Sequence, residues 1–592
     1  MISNPFSLSA AEIAAALGGE HPALPELEAL RADPAALAAL PGMRFELEQT
    51  APLMAGIERI PQTRYTHYRY FIKNGDRRTY EGPYFDKRRN LGALALRVLV
   101  GETQWKDLLQ DYIWDICEES TWVLPAHERR DFIDLFSAET GFDLATTLHL
   151  LGRSLDGEVR ARVRSEVDQR IFQPYLAHFL NYHWYLGVHN WNGVCNSSVA
   201  SAFLLLESEP DRQARALELA FAGLQHYLQV AFESDGASTE GVGYWHYGLI
   251  NFISLSEMLR ARSGGEIDLL ASQRMKDVAG YPAKLHLSGS MFAAFSDADE
   301  TTEFNPGIVT RLAERTGEPS LYNLLAKPVH FKGDWRLTMM LRNALWWDGA
   351  QLDAPAIQDA VLPAGGVARL AVERPDGLRV IAAIKAGHNA ENHNQNDIGS
   401  FLVHVDGENL LTDPGRGLYN RFYFSERRYE NIFANSYGHS LPRIGGQLQH
   451  EGRQHYGELG AVELGGPVKR VTVDFPRAYA VEALSGLRRT LALDAQGGLL
   501  LEDQFSFSGA PLEVEEAFVT WGQVELDGAS ATVRGARHSL RLTIEAPAGA
   551  SFAVQSLAED CRANARAGVL QRISAVFPHA PATSVRIRMQ VL

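Results

Sequence analysis

Apolar residues recur at three- and four-residue spacing through most of the first 350 residues, the period of helices with one buried stripe. AEIAAALGG, PELEALRADPAALAAL, RDFIDLFSAETGFDLATTLHLLGRSL, QARALELAFAGLQHYLQVAFES and LINFISLSEMLRARS all read this way, with Gly and Pro mostly between them. About ten such segments predict an all-α array of helical hairpins. From Gly365 the period drops to two. VARLAVERPDGLRVIAAIKAG reads as a hairpin around Asp376-Gly377, and SFLVHVDGENLLTDPG as a second around Asp406-Gly407. Two more are centred on Gly497-Gly498 and Asp527-Gly528. A large antiparallel β-domain is therefore expected, with the boundary inside residues 350–363 and the division placed at 1–355 and 356–592.

Composition narrows the class. Of 592 residues, 46% are hydrophobic and 22% charged, which is ordinary for a folded chain and excludes a disordered or fibrous one. The formal charge of −16 argues against a general nucleic-acid or anionic-membrane binder. No run approaches the 18 apolar residues of a membrane span. The three cysteines, Cys117, Cys195 and Cys561, are odd in number and widely spaced, so neither a disulfide framework nor a zinc knuckle is expected. The N-terminus lacks the basic and apolar regions of a secretion signal, and a cytoplasmic location is expected, or a periplasmic or secreted one if a leader has been lost. Nine of ten tryptophans precede residue 350, and several adjoin polar clusters, where an exposed ring is what a sugar stacks on.

Four polar clusters stand out. The first, Gly187 to Ser198, puts His189, Asn190, Asn192 and Asn196 beside Trp191 and runs into an apolar helix; one Asn or Ser would suffice to cap it. The second, Asp235 to Gly248, is a glycine-rich loop carrying Glu240, Tyr244, Trp245, His246 and Tyr247, and with no Lys after its glycines it is not a phosphate loop. The third, Glu391 to Phe401, leads into a strand. If extended, it sets His393, Gln395 and Asp397 on one face and three Asn on the other, and His404 joins that site only through a bulge. The fourth runs from Asp413 through Arg416, Arg428 and Tyr429 to His439. Nucleophile elbow, dinucleotide fingerprint and HExxH are all missing, so Tyr, His and Asn together suggest proton transfer with donors stabilising a developing negative charge.

Together these segments resemble the heparinase II/III-like polysaccharide lyases, over roughly residues 120–450. Trp122 to His127 is similar to the family's W-x-L-P-x-H element. DGASTEGVGYWHYG is similar to its DG…EG-x-x-Y-x-x-Y loop, Phe295 to Asp299 to an FGD-x-D element, and ENHNQNDIGSF to its H-N-H-N-D-x-G-S-F signature. The resemblance implies a multidomain α+β protein, an N-terminal (α/α) toroid followed by a C-terminal antiparallel β-sheet sandwich. It implies cleavage of 4-O-linked uronates by β-elimination, on glycosaminoglycans such as hyaluronan, chondroitin sulfate or heparan sulfate.

In the implied mechanism, Asn192 or Asn190, with His189, neutralises the uronate carboxylate. Tyr244 is the general acid, and the base for one C5 epimer, which requires a lowered phenol pKa. His393 is the base from the other face. Asn190, Trp191, Glu240, Trp245, Tyr247, His127, Arg69, Arg88, Arg416, Arg428 and Tyr429 make up the expected substrate-binding set. The family's second His, two residues after the catalytic one, is replaced by Gln395. With Asp413 and His439, Gln395 either ligates a single structural divalent metal or merely hydrogen-bonds. Manganese or calcium suits that set better than zinc, and no organic cofactor is expected. The expected partner is an anionic polysaccharide or oligosaccharide, with no nucleic acid and no membrane, and the chain acting as a monomer or homodimer. Competing readings are an alginate or other non-glycosaminoglycan uronate lyase, a catalytically silent carbohydrate-binding protein, and a glycoside hydrolase drafting Glu240 and Asp297, which nothing in the sequence pairs.

Overall fold

A computed structural model describes residues 2, 4–127, 133–325, 333–350 and 355–592. The chain divides into two compact units. The first comprises Met1–Phe232, Trp245–Ala279 and Glu303–Ala354, and the second Glu233–Tyr244, Gly280–Thr302 and Pro355–Leu592.

The first unit is the expected helical array, an (α/α) toroid. Leu135–Leu151 and Asn190–Leu206 are buried on nearly every side and pack against each other, and Pro210–Val230 packs against the second of them. Leu135–Leu151 starts where Asp134 and Ser137 form a capping box; residues 130–132, expected within this segment, lie outside the described residues. Leu337–Trp346 packs on Pro41–Thr50, Pro306–Thr316 and Arg78–Leu99. Among the described residues, no helix is long and apolar enough to cross a membrane.

The second unit is an antiparallel sandwich. Its five-stranded sheet is a meander of Ala360–Leu362, Val367–Glu373, Arg379–Lys385, Phe401–Val405 and Glu408–Leu411. Its nine-stranded sheet centres on Ala582–Val591, Leu499–Phe507, Leu484–Asp494, Val468–Asp474 and Gly452–Glu463. All four hairpins expected at Asp-Gly and Gly-Gly pairs are present. Inward residues of both sheets, among them Leu370, Val380, Phe401, Val471, Leu491 and Phe505, form one core.

The division expected at 355/356 omits two earlier segments of this unit, and hydrogen bonding explains why they join it. Asp235 accepts from the backbone N–H of Ala364 and Gly365, and Arg369 donates to the carbonyls of Ala283 and His286. Burying the Arg369 guanidinium and these two carbonyls unpaired would cost more than the detour of the chain.

Leu499–Phe507 alternates inward and outward, and the alternation turns Asp503 inward. Arg489 faces it across the neighbouring strand. The guanidinium makes paired bonds to the Asp503 carboxylate, donates to Glu516, and reaches the carbonyls of Gly399 and Ser440 at 2.7 and 2.8 Å. One fully buried side chain thus ties two loops to the sheet. Arg489→Leu leaves two buried carboxylates without their counter-ion and is expected to cost about 3–5 kcal/mol, read as a lowered denaturant midpoint at unchanged m-value.

Candidate active site

In the second unit, two segments, the loop after Asn389 and the stretch after Asp413, carry polar side chains to one carboxylate. Asp297 is 3% exposed and accepts five hydrogen bonds. His393 Nδ1 lies 3.0 Å from Oδ2, and Tyr419 donates to the same oxygen at 3.1 Å. Tyr423 donates to Oδ1 at 2.8 Å, Arg428 at 2.7 Å and Gln395 at 3.4 Å. Burial disfavours the carboxylate's charge, but the His393 hydrogen bond and the Arg428 cation outweigh it, and its pKa lies below the ordinary value.

Tyr244 completes the group. Its ring stacks on the His393 imidazole, centroids 4.2 Å apart and planes within 17°, and its hydroxyl meets that of Tyr419 at 2.7 Å. With Asp297 as acceptor, the His393 hydrogen is assigned to Nδ1, which leaves Nε2 as the basic nitrogen. Glu240 Oε1 stands 3.4 Å from Nε2. Burial pushes the Tyr244 phenol well above its usual value, against the hydrogen bond with Tyr419, which lowers it. The lowered phenol expected of a tyrosine base is therefore absent, and Tyr244 holds its proton at neutral pH.

Local structure fixes these positions. The loop from Asn389 to Ser400 is irregular rather than extended, and His393 sits at φ 56°, a left-handed position that demands support from its surroundings. Gln449 supplies it by bonding both N–H and C=O of Ile398, while Asn396 N–H binds the Ala434 carbonyl. The expected sharing of a face holds for His393 and Gln395, which both meet Asp297, and fails for Asp397, which turns to Lys385 at 2.7 Å. Gly241, just before Tyr244, has φ 91° and a missing Cβ that would sit 3.3 Å from the Phe295 carbonyl. Gly415 is tighter: a Cβ there would lie 2.3 Å from the Ala298 carbonyl. Arg416 pairs with Asp299 and lies over the Tyr419 ring; Tyr429 accepts from Asn394. His404 is buried between Ser288 and Asn409, and burial lowers its pKa to about 4, so it is a neutral structural residue.

Asp413 and His439 come together as expected, and Asp397 joins them, all three buried with ligand atoms within 4.8 Å of one another. The Gln395 amide N–H goes to Asp297, while its Oε1, the atom that could ligate, is buried with no hydrogen-bond partner among the described residues. His439 Nδ1 meets Asp413 at 3.1 Å, while His439 Nε2 and Asp397 Oδ2 are buried with no hydrogen-bond partner among the described residues. Orphaned lone pairs on an oxygen-rich set fit a divalent ion.

In the first unit, His127, His183 and His189 surround Trp191, with ring centroids 4.7, 5.1 and 6.2 Å from it. Asp134 holds His127 Nδ1 at 2.9 Å. His189 is the N-cap and Asn190 the first residue of the helix Asn190–Leu206, where backbone N–H groups and the helix dipole favour an anion.

Several expected binding residues prove to be internal. Asn192 is fully buried, its amide donating to the Tyr185 and Gly187 carbonyls and its oxygen taken by Asn196. Trp245 is a core side chain bonded to the Val278 carbonyl. Arg88 is buried against Glu119, Thr140 and the Tyr84 carbonyl. Tyr247 donates to Glu139 beneath the Arg336 cation. Arg428 is spent on Asp297 and the carbonyls of Asn394 and Tyr423. Arg69 is exposed, over the Tyr65 ring. Tyr423 and His183 went unnoticed in the sequence, and Tyr419, part of the fourth cluster, was given no role. They lie in no motif, although Tyr419 and Tyr423 fall inside the charged 413–439 segment.

No protein-family model matches the sequence, and no curated protein is similar to it in sequence. Solved structures are similar in fold. Heparinase III matches with a TM-score of 0.63 at 13% identity, over 87% of this chain and 77% of that one. Heparan sulfate lyase HepC from Pedobacter heparinus matches with a TM-score of 0.60 at 12% identity, over 98% and 87%. A mutant of the chondroitin AC lyase of Streptomyces coelicolor matches with a TM-score of 0.50 at 12% identity, over 95% and 82%. The chain thus has the fold of the heparinase-like lyases, a helical toroid with an antiparallel β-domain.

Because the folded pKa of Asp297 is depressed, its contribution to stability is whole above the ordinary value of 3.8 and is lost as pH falls through the depressed one. Asp297→Asn is therefore expected to melt below the wild type at neutral pH, with the gap narrowing in melts taken down to about pH 3. A gap independent of pH would refute the assignment of an ionised carboxylate.

Proposed function

We propose that this protein is a polysaccharide lyase that cleaves 4-O-linked uronate chains by β-elimination. The observation that carries the reading is the stack of Tyr244 on His393 with Asp297 bound behind the imidazole. His393 Nε2 takes the C5 proton, and Asp297 holds the imidazole in the basic tautomer and stabilises the imidazolium that forms. Tyr244, protonated because it is buried, gives its proton to the departing O4. This makes the phenol the acid and the imidazole the base, and drops Tyr244 as a second base. The His189–Asn190 helix start, with Trp191 and His127, is proposed to bind an anionic sugar. Hyaluronan, chondroitin sulfate and heparan sulfate are the substrates proposed, supported by the fold shared with lyases named for the last two classes.

Asp397, Asp413 and His439 would hold a divalent metal, manganese or calcium in preference to zinc. When bound it would supply a fixed positive charge inside the β-domain. Mass-spectrometric metal analysis after incubation with each ion is expected to find about one equivalent in the wild type and none in Asp413→Ala. No stoichiometric metal with any ion would remove the proposal.

Incubation with uronate polymers is expected to produce the ultraviolet absorbance of a C4–C5 double bond. Tyr244→Phe should lower kcat by at least about 100-fold with its fold intact by circular dichroism. A hydrolysis product without the double bond would defeat the reading, as would a fully active Tyr244→Phe.

A further inference from the structure

The hydroxyl of Tyr419 has three polar neighbours: Tyr244 Oη at 2.7 Å, Asp297 Oδ2 at 3.1 Å and His393 Nδ1 at 3.2 Å. It has one hydrogen to give. Asp297 only accepts, so while Tyr419 donates to it, the hydrogen between the two phenols belongs to Tyr244. The resting acid is thereby aimed at Tyr419. When Tyr244 gives its proton away, the short contact places a charged oxygen 2.7 Å from a hydroxyl free to turn toward it.

We propose that Tyr419 is a positioning residue for the acid, turning its O–H from Asp297 to Tyr244 as Tyr244 becomes a phenolate. The proposal rests on the lyase reading, whose proton balance it completes. C5–H breaks and its proton goes to His393; its electron pair becomes the C4–C5 double bond. C4–O4 breaks with its pair on O4, which takes the Tyr244 proton. No bond of Tyr419 is made or broken; only its hydrogen bond moves, from a carboxylate that keeps four other donors to an oxygen that has just acquired charge.

The surroundings suit this role. Tyr419 lies in the segment between Asp413 and Tyr429, with its ring beneath the Arg416 guanidinium at 4.9 Å and against the exposed Phe424 at 4.8 Å. The groups around the Tyr244 hydroxyl are Tyr419, Asp297, Arg416 and Glu240, with His393 stacked on its ring. Of these, Arg416 is already paired with Asp299 and Glu240 repels a phenolate, so among the described residues Tyr419 is the one neutral donor seen within hydrogen-bond reach.

The test is Tyr419→Phe, which removes one oxygen and keeps the ring. Its kcat for unsaturated product is expected to fall about 100-fold, with KM changed less than about threefold. A purely structural role would instead lower the melting temperature or raise KM. A second readout does not depend on activity. A fluorinated tyrosine of lowered phenol pKa, installed at position 244 and followed by fluorine NMR, is expected to titrate about one unit higher in the Tyr419→Phe background. The proposal is overturned if Tyr419→Phe keeps the wild-type kcat or leaves that titration where it was. If the wild type forms no unsaturated product from any uronate polymer, the lyase reading fails and takes the catalytic role with it, even if the titration shifts.

Discussion

A carboxylate taken out of water must be surrounded by donors, and Asp297 meets that requirement with five. The arrangement of the site follows from this demand. Two donors come from the loop after Asn389 and three from the segment after Asp413, so satisfying one buried charge brings His393, Tyr419 and Arg428 to the same point. Tyr244 joins through Tyr419 and the face of His393. Irregular backbone can hold such a constellation only if its own polar groups are met. Gln449, Arg489 and the Ala434 carbonyl do this for the loop that carries His393.

The periodicity of the sequence carried the fold well. The change from a helical to a two-residue period, the four Gly-containing hairpin turns and the buried alternation of the strands are local properties, and local physics decides them. The two segments that leave the helical half for the sandwich were not legible, because long-range hydrogen bonds from Asp235 and Arg369 decide their membership. Within the site, residues lying in motifs were found. The pairings of Tyr419 with Tyr244 and of Asp397 with His439 were not legible, because they span 175 and 42 positions along the chain, which no spacing rule encodes.

Residue type also misled where burial was invisible. Asn192, Arg88 and Trp245 have the chemistry of sugar contacts, and their polar atoms are spent on carbonyls and carboxylates inside the helical unit. Asn190, the first residue of the same helix, is buried as Asn192 is. A polar cluster at a helix start therefore announces a site without naming the member that serves it.

The second unit is threaded from three stretches of chain, Glu233–Tyr244, Gly280–Thr302 and Pro355–Leu592. During synthesis the stretch bearing Tyr244 leaves the ribosome long before Arg428 exists, and at typical translation rates the wait is on the order of ten seconds or more. Until the loops after Asn389 and Asp413 are made, Asp297 has none of their donors, and an uncompensated carboxylate prefers water to a protein interior. The chemistry of the site thus waits on residues far apart along the chain, and its assembly is set by long-range closure rather than by any local folding step.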